Sequence, residues 1–153
     1  MRHFPKNLLV LFAMFMLVTL SCEEENKNET KISTYNYDES HKAGQNCMNC
    51  HTPGGEGEGW FEVAGTVYDS TRTNTYPNAT VKFYSGPNGT GTLHYTLQVD
   101  ARGNFYTTED MKAPGGLYVA VQGDLQTNHM QSILPSRNCN SCHGVETERI
   151  WTK

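Results

Sequence analysis

Between Trp60 and Gly123 apolar and polar residues alternate in short runs. Phe61, Val63, Gly65 and Val67 alternate with Glu62, Ala64, Thr66 and Tyr68, and Val81 and Phe83 with Lys82 and Tyr84. Further on, Leu93, Tyr95, Leu97 and Val99 alternate with His94, Thr96, Gln98 and Asp100, and Leu117, Val119 and Val121 with Tyr118, Ala120 and Gln122. A period of two puts one face of each run into a core, so these are half-buried strands. Turn signals divide them: Tyr76-Pro77-Asn78, Gly86-Pro87-Asn88-Gly89, Asp100-Ala101-Arg102-Gly103-Asn104 and Ala113-Pro114-Gly115-Gly116. Short strands so spaced predict a mainly β chain with a small β-sandwich over residues 60–123.

Outside that region the pattern changes. Leu8 to Leu20 is an almost unbroken apolar run behind Arg2 and Lys6. It is shorter than the roughly 20 residues a membrane span needs, and it has the length of a signal h-region. It ends Leu17-Val18-Thr19-Leu20-Ser21-Cys22, which resembles a bacterial lipobox. Residues 1–21 are therefore expected to be a lipoprotein signal peptide, with Cys22 the lipidated first residue of the mature chain. The plainer alternative is an ordinary signal peptide that leaves Cys22 a stray thiol. Residues 22–40 form a polar stretch that opens on Glu23-Glu24-Glu25 and carries Lys, Asn, Thr and Ser throughout, with little that could bury itself, as expected of a tether. An acidic run after a lipidated Cys resembles the surface-export signal of Bacteroidota lipoproteins. The expected location is thus the outer membrane, facing the periplasm or the cell surface, with the surface favoured.

Charge adds little beyond solubility. Without Arg2 and Lys6 the mature chain has ten basic residues against sixteen acidic, a net charge of −6. That balance gives no footprint for nucleic acid.

The cysteines carry the chemistry. Four of the five lie in Cys47-Met48-Asn49-Cys50-His51 and Cys139-Asn140-Ser141-Cys142-His143. Cys-x-x-Cys-His is the spacing at which a c-type haem is attached. The two thiols add to the two vinyl groups of one porphyrin, and the following imidazole becomes an axial ligand of the iron. Cys-x-x-Cys alone also serves redox dithiols and zinc ribbons; the recurring His separates this pattern from both. The expected cofactors are two covalently attached haem c groups, on Cys47 and Cys50 with His51, and on Cys139 and Cys142 with His143. His41 lies ten residues before His51 and His129 fourteen before His143, so both are candidate distal ligands. Met130 is the rival at the second site, where His/Met ligation would raise the potential. Either distal His could serve its own motif or the other. His94 falls out of phase with the apolar positions of its strand and reads as a surface residue. Residues 41–59, ending in the glycine-rich loop Thr52 to Gly59, form the first haem-binding segment; residues 124–153 form the second.

Four pieces of the central region occur in one order: Ala64-Gly65-Thr66-Val67-Tyr68-Asp69, Pro77-Asn78-Ala79-Thr80-Val81, Asp100-Ala101-Arg102-Gly103-Asn104-Phe105 and Pro114-Gly115-Gly116-Leu117-Tyr118. Together they resemble the carboxypeptidase regulatory-like, transthyretin-like β-sandwich repeat of exported bacterial proteins. That resemblance implies a non-catalytic spacer or scaffold, flanked here by short helical or irregular haem segments. The two-motif pattern as a whole is similar to small multihaem electron-transfer cytochromes of anaerobic and metal-respiring bacteria.

The expected function is electron transfer rather than enzymatic catalysis, with redox proteins or further copies of the chain as partners. The membrane would be reached through Cys22. Two alternatives stand beside it. One is a small haem enzyme with an open iron. The other is a non-haem binding module whose four cysteines form a zinc site or two disulfides. An odd strand number would leave the two motifs at opposite poles of the sandwich; an even number, or a return along residues 124–138, would bring them side by side.

Overall fold

The computed structural model describes residues 28–153, so the expected signal peptide, Cys22 and residues 23–27 lie outside the described residues. The protein is mainly β. Six strands follow in order: β1 (Val63–Thr66), β2 (Thr80–Tyr84), β3 (Leu93–Gln98), β4 (Asn104–Thr107), β5 (Tyr118–Gln122) and β6 (Thr127–His129). One antiparallel sheet runs β3-β2-β5-β6, and the other pairs β1 with β4. Among the described residues no helix is long and apolar enough to cross a membrane.

Strand β2 is central because its alternation is the cleanest. Val81 and Phe83 are fully buried, whereas Lys82 between them reaches outward to Gln122. The registers put Leu97 and Val121 on either side of Val81, and Tyr95 and Val119 on either side of Phe83. Two cross-strand apolar rows result, the arrangement that stabilises a sheet. Val63, Val67, Val99, Phe105, Met111 and Leu117 close the core from the other side. Phe83→Ala is expected to lower unfolding stability by about 3–5 kcal/mol in denaturant titration, because the site is enclosed and cannot collapse.

The turn from Asp100 to Asn104 shows how sequence sets local structure. Asp100 Oδ1 accepts from the backbone N–H of Arg102 at 2.8 Å and of Asn104 at 2.9 Å. Gly103 has φ +84°, and a Cβ there would meet Thr75 Cβ at 2.5 Å, so only glycine fits.

Two strands were not expected. β4 carries a single large apolar core residue, Phe105, and its buried Asn104 and Thr107 hid its alternation. β6 lies inside the stretch 124–138, where alternation fades; its pairing of His129 with Ala120 is made by backbone alone.

The two ends of the described chain complete the smaller sheet. Ile32 bridges Thr107, Ser33 N–H donates to Tyr106 O at 3.0 Å, and Thr108 N–H donates to Lys31 O at 2.9 Å, all along the outer edge of β4. Ser33 is buried, and its hydroxyl donates to Gln98 O at 2.6 Å, joining the sheets. The polar stretch expected as tether is thus hydrogen-bonded to the sandwich from Asn28 onward. Along the outer edge of β1, Ala64 N–H donates to Arg137 O at 3.1 Å, and two residues past its end Tyr68 N–H donates to Ile150 O at 2.8 Å. The second motif is therefore an excursion between two clamps, one on β1 and one just beyond it. All four residues of β1 are buried, the inner face by the core and the outer by these segments.

Candidate functional site

Each Cys-x-x-Cys-His stretch folds as one turn of 3₁₀ helix, Cys47–Asn49 and Cys139–Ser141, entered from an Asn. His51 N–H donates to Cys47 O at 3.0 Å, and His143 N–H to Cys139 O at 2.9 Å. Side chains three apart eclipse in such a turn, so both thiols leave from one side. The imidazole then follows at the turn's exit. All four cysteines are free.

The two imidazoles are held alike. His51 Nδ1 lies 3.1 Å from Glu58 O and 3.3 Å from Gly59 O, and His143 Nδ1 lies 2.7 Å from Glu148 O. A carbonyl only accepts, so Nδ1–H is the donor in both, which in the neutral ring leaves the lone pair on Nε2. This is the tautomer a metal-binding His uses, with the outer hydrogen bond fixing ring orientation. At the first site the His51 ring stacks on Phe61 at 4.1 Å, and Phe61 stacks on Tyr106 at 4.7 Å. Gly57 makes room: a Cβ there would lie 2.7 Å from His51 Nδ1.

His41 faces His51 with ring centres 6.1 Å apart and planes inclined by 40°. Two imidazoles on opposite faces of one metal, each bound by a nitrogen about 2 Å away, hold their ring centres about 6 Å apart. Both line a cavity of about 560 Å³, together with Cys47, Cys50, Phe61 and Tyr106. At the second site His129 and His143 line a cavity of about 360 Å³ with Val119, Leu134, Ile150 and Trp151. His129 Nδ1 is buried without a partner, a state that ordinarily costs about 1–3 kcal/mol. Met130 lines the same cavity. Asn46 Oδ1 and Asn138 Oδ1, at equivalent positions before the two turns, are likewise buried and unpartnered. Both cavities fall within the size range of cofactor pockets. The residues present fit two covalently held haems.

The motifs meet. Asn140 Nδ2 donates to Gln45 O at 2.8 Å, a direct bond between the two segments. The same amide brackets β1: its Oδ1 accepts from Thr66 N–H at 3.1 Å, and its Nδ2 lies 3.0 Å from Thr66 Oγ1. Thr66 Oγ1 also accepts from Gly44 N–H at 2.9 Å and donates to Asn104 Oδ1 at 2.7 Å. Phe105 lines both cavities. Burial pushes the Cys139 thiol up to about 12, and the neighbouring Cys47 thiol adds to the shift. Gly65 permits this closeness: a Cβ there would sit 2.5 Å from Phe105 Cζ and 2.9 Å from Cys139 Cβ. Residues 60–123 hold five strands, an odd number, and it is the return along 124–138, β6 included, that brings the second segment back beside the first.

Sequence reasoning missed Thr66, Asn104, Phe105 and Asn140. Asn140 occupies an unspecified position of its motif, so no spacing marked it. His94 is exposed on β3 and lines neither cavity. Among the described residues no three His, Cys, Asp or Glu side chains gather as a metal cluster. The molecule is thus a β-sandwich with two adjoining Cys-x-x-Cys-His sites on its smaller sheet. Comparison with family models, curated proteins and solved structures gave no match.

Proposed function

We propose that the chain is an exported, lipid-anchored dihaem c-type cytochrome that carries electrons. One observation supports this above the rest: two identical turns each present a thiol pair and a His whose Nδ1 is tied to a carbonyl. Cys47 and Cys50 would hold one haem, with His51 and His41 as the imidazoles that would bind its iron. Cys139 and Cys142 would hold the other, with His143 and His129. The bound group supplies one-electron exchange at iron.

The chain's own residues bind, orient and exclude water. Phe61 and Tyr106 fix the His51 ring from behind, and Gly57 leaves that ring its place. Val119, Leu134, Ile150 and Trp151 keep the second site apolar. With two imidazoles at each site no position stays open for a substrate, which favours a carrier over an enzyme. The all-cysteine zinc alternative requires the four thiols to converge on one point and leaves the recurring His51 and His143 without a role. The resemblance to carboxypeptidase regulatory-like repeats fits a sandwich that acts as scaffold, and the partners are redox proteins or further copies of the chain.

A pyridine haemochrome assay on protein made with the haem-attachment machinery is expected to give two haems per chain, and the haem stain is expected to survive a denaturing gel. A colourless band would sink the reading. Ser replacement of Cys139 and Cys142 together is expected to leave one haem.

A further inference from the structure

The described chain begins at Asn28, and it is already fastened there. Asn28 Nδ2 donates to Trp60 O at 2.7 Å, and Trp60 N–H donates back to Asn28 Oδ1 at 2.8 Å. Lys31 N–H donates to Thr108 Oγ1 at 2.7 Å, and its ammonium donates to Glu58 at 2.7 Å. That bond lowers the Glu58 carboxyl from its ordinary value and raises Lys31. The grip falls on one place: Glu58 and Gly59 supply the carbonyls that hold His51, and Trp60 takes Asn28.

Only residues 23–27 separate Asn28 from Cys22. However they are arranged, six residue steps span at most about 22 Å. A domain of the 126 described residues has a radius of gyration of about 14 Å and is about 35 Å across. The leash is shorter than the body is wide.

Resting on the reading of Cys22 as the acylated residue, we propose that the bilayer surface is the docking partner of the first haem segment. The body cannot turn over on so short a leash, so the loop 52–60 and the rim of the His41–His51 cavity stay at the lipid side. A donor or acceptor that reaches the first site must therefore work at the membrane surface.

The test uses the full, acylated, haem-loaded chain in vesicles containing nickel-chelating lipid headgroups. Pro53→Cys places a single thiol on the exposed loop, free for a nitroxide once the motif cysteines are bonded to haem. The nickel-dependent part of that nitroxide's relaxation, taken as the difference from vesicles without nickel so that the haem iron's own contribution cancels, is expected to be strong with the native leash. Inserting about 40 Gly/Ser residues between Glu25 and Asn26, with a mean reach of about 35 Å, is expected to weaken it at least threefold. Equal relaxation in vesicle-bound forms of both proteins would overturn the docking. A chain that fails to float with the vesicles while keeping its haem spectrum would overturn the lipid anchor itself, and the docking with it.

Discussion

Reduced protein carrying His41→Ala is expected to bind one CO per chain, where the unaltered chain binds none. The reason is geometric. The ring centres of His41 and His51 lie 6.1 Å apart across one cavity, close enough for both imidazoles to reach one metal. Removing one opens a coordination position without touching the thiols or the Nδ1 tie of His51. His129→Ala should do the same at the second site, and the double variant should bind two. There the two ligand candidates are neighbours: His129 with its unpartnered Nδ1, and Met130 on the wall of the same cavity. If Met130→Ala opens the site and His129→Ala does not, the ligand is Met130. CO binding by the unaltered reduced chain would instead favour the open-iron alternative.

Asn140→Ala is expected to lower stability and to loosen the two motif segments from one another in a single change. Asn140 is buried and bonds to Thr66 N–H, Thr66 Oγ1 and Gln45 O. Truncation leaves a buried donor and acceptors unpaired at about 1–3 kcal/mol each, so a loss of about 2–4 kcal/mol is expected in denaturant titration. It also cuts the only direct side-chain tie between the motif segments seen among the described residues. Exciton splitting of the Soret circular dichroism, which reports two haems held close in fixed orientation, should weaken in the same variant. Asn140→Asp is the harsher change: its carboxylate still accepts from Thr66 N–H but sets a second oxygen against Gln45 O in a buried site, so stability and splitting should both fall. Unchanged splitting in both variants would mean that the sandwich, not Asn140, sets the haem arrangement.

The parts legible in the sequence were those governed by local rules. Alternation found β1, β2, β3 and β5 because apolar residues with period two must share a face. It missed β4, where Asn104 and Thr107 are buried by virtue of their hydrogen bonds rather than their hydropathy. It also missed β6, which exists because β5 offers a free edge. The polar composition of residues 28–40 suggested a tether, yet Ser33 is buried. Its hydroxyl and backbone satisfy partners on both sheets, and polarity along a chain does not report such pairing.

For the site, the sequence by itself determined the chemistry: two thiol pairs, each followed by a His, in turns whose geometry is set within five residues. It also nominated His41 and His129. Only the tertiary structure decided that the two sites adjoin. Gln45 and Asn140 lie 95 positions apart along the chain and meet where both segments bond to Thr66 of β1. Closure of the sandwich sets that distance through Gly65, Thr66 and Phe105, none of which lies in a Cys-x-x-Cys-His motif. Spacing in sequence encodes what a turn can do; what two turns do together depends on the sheet that carries them.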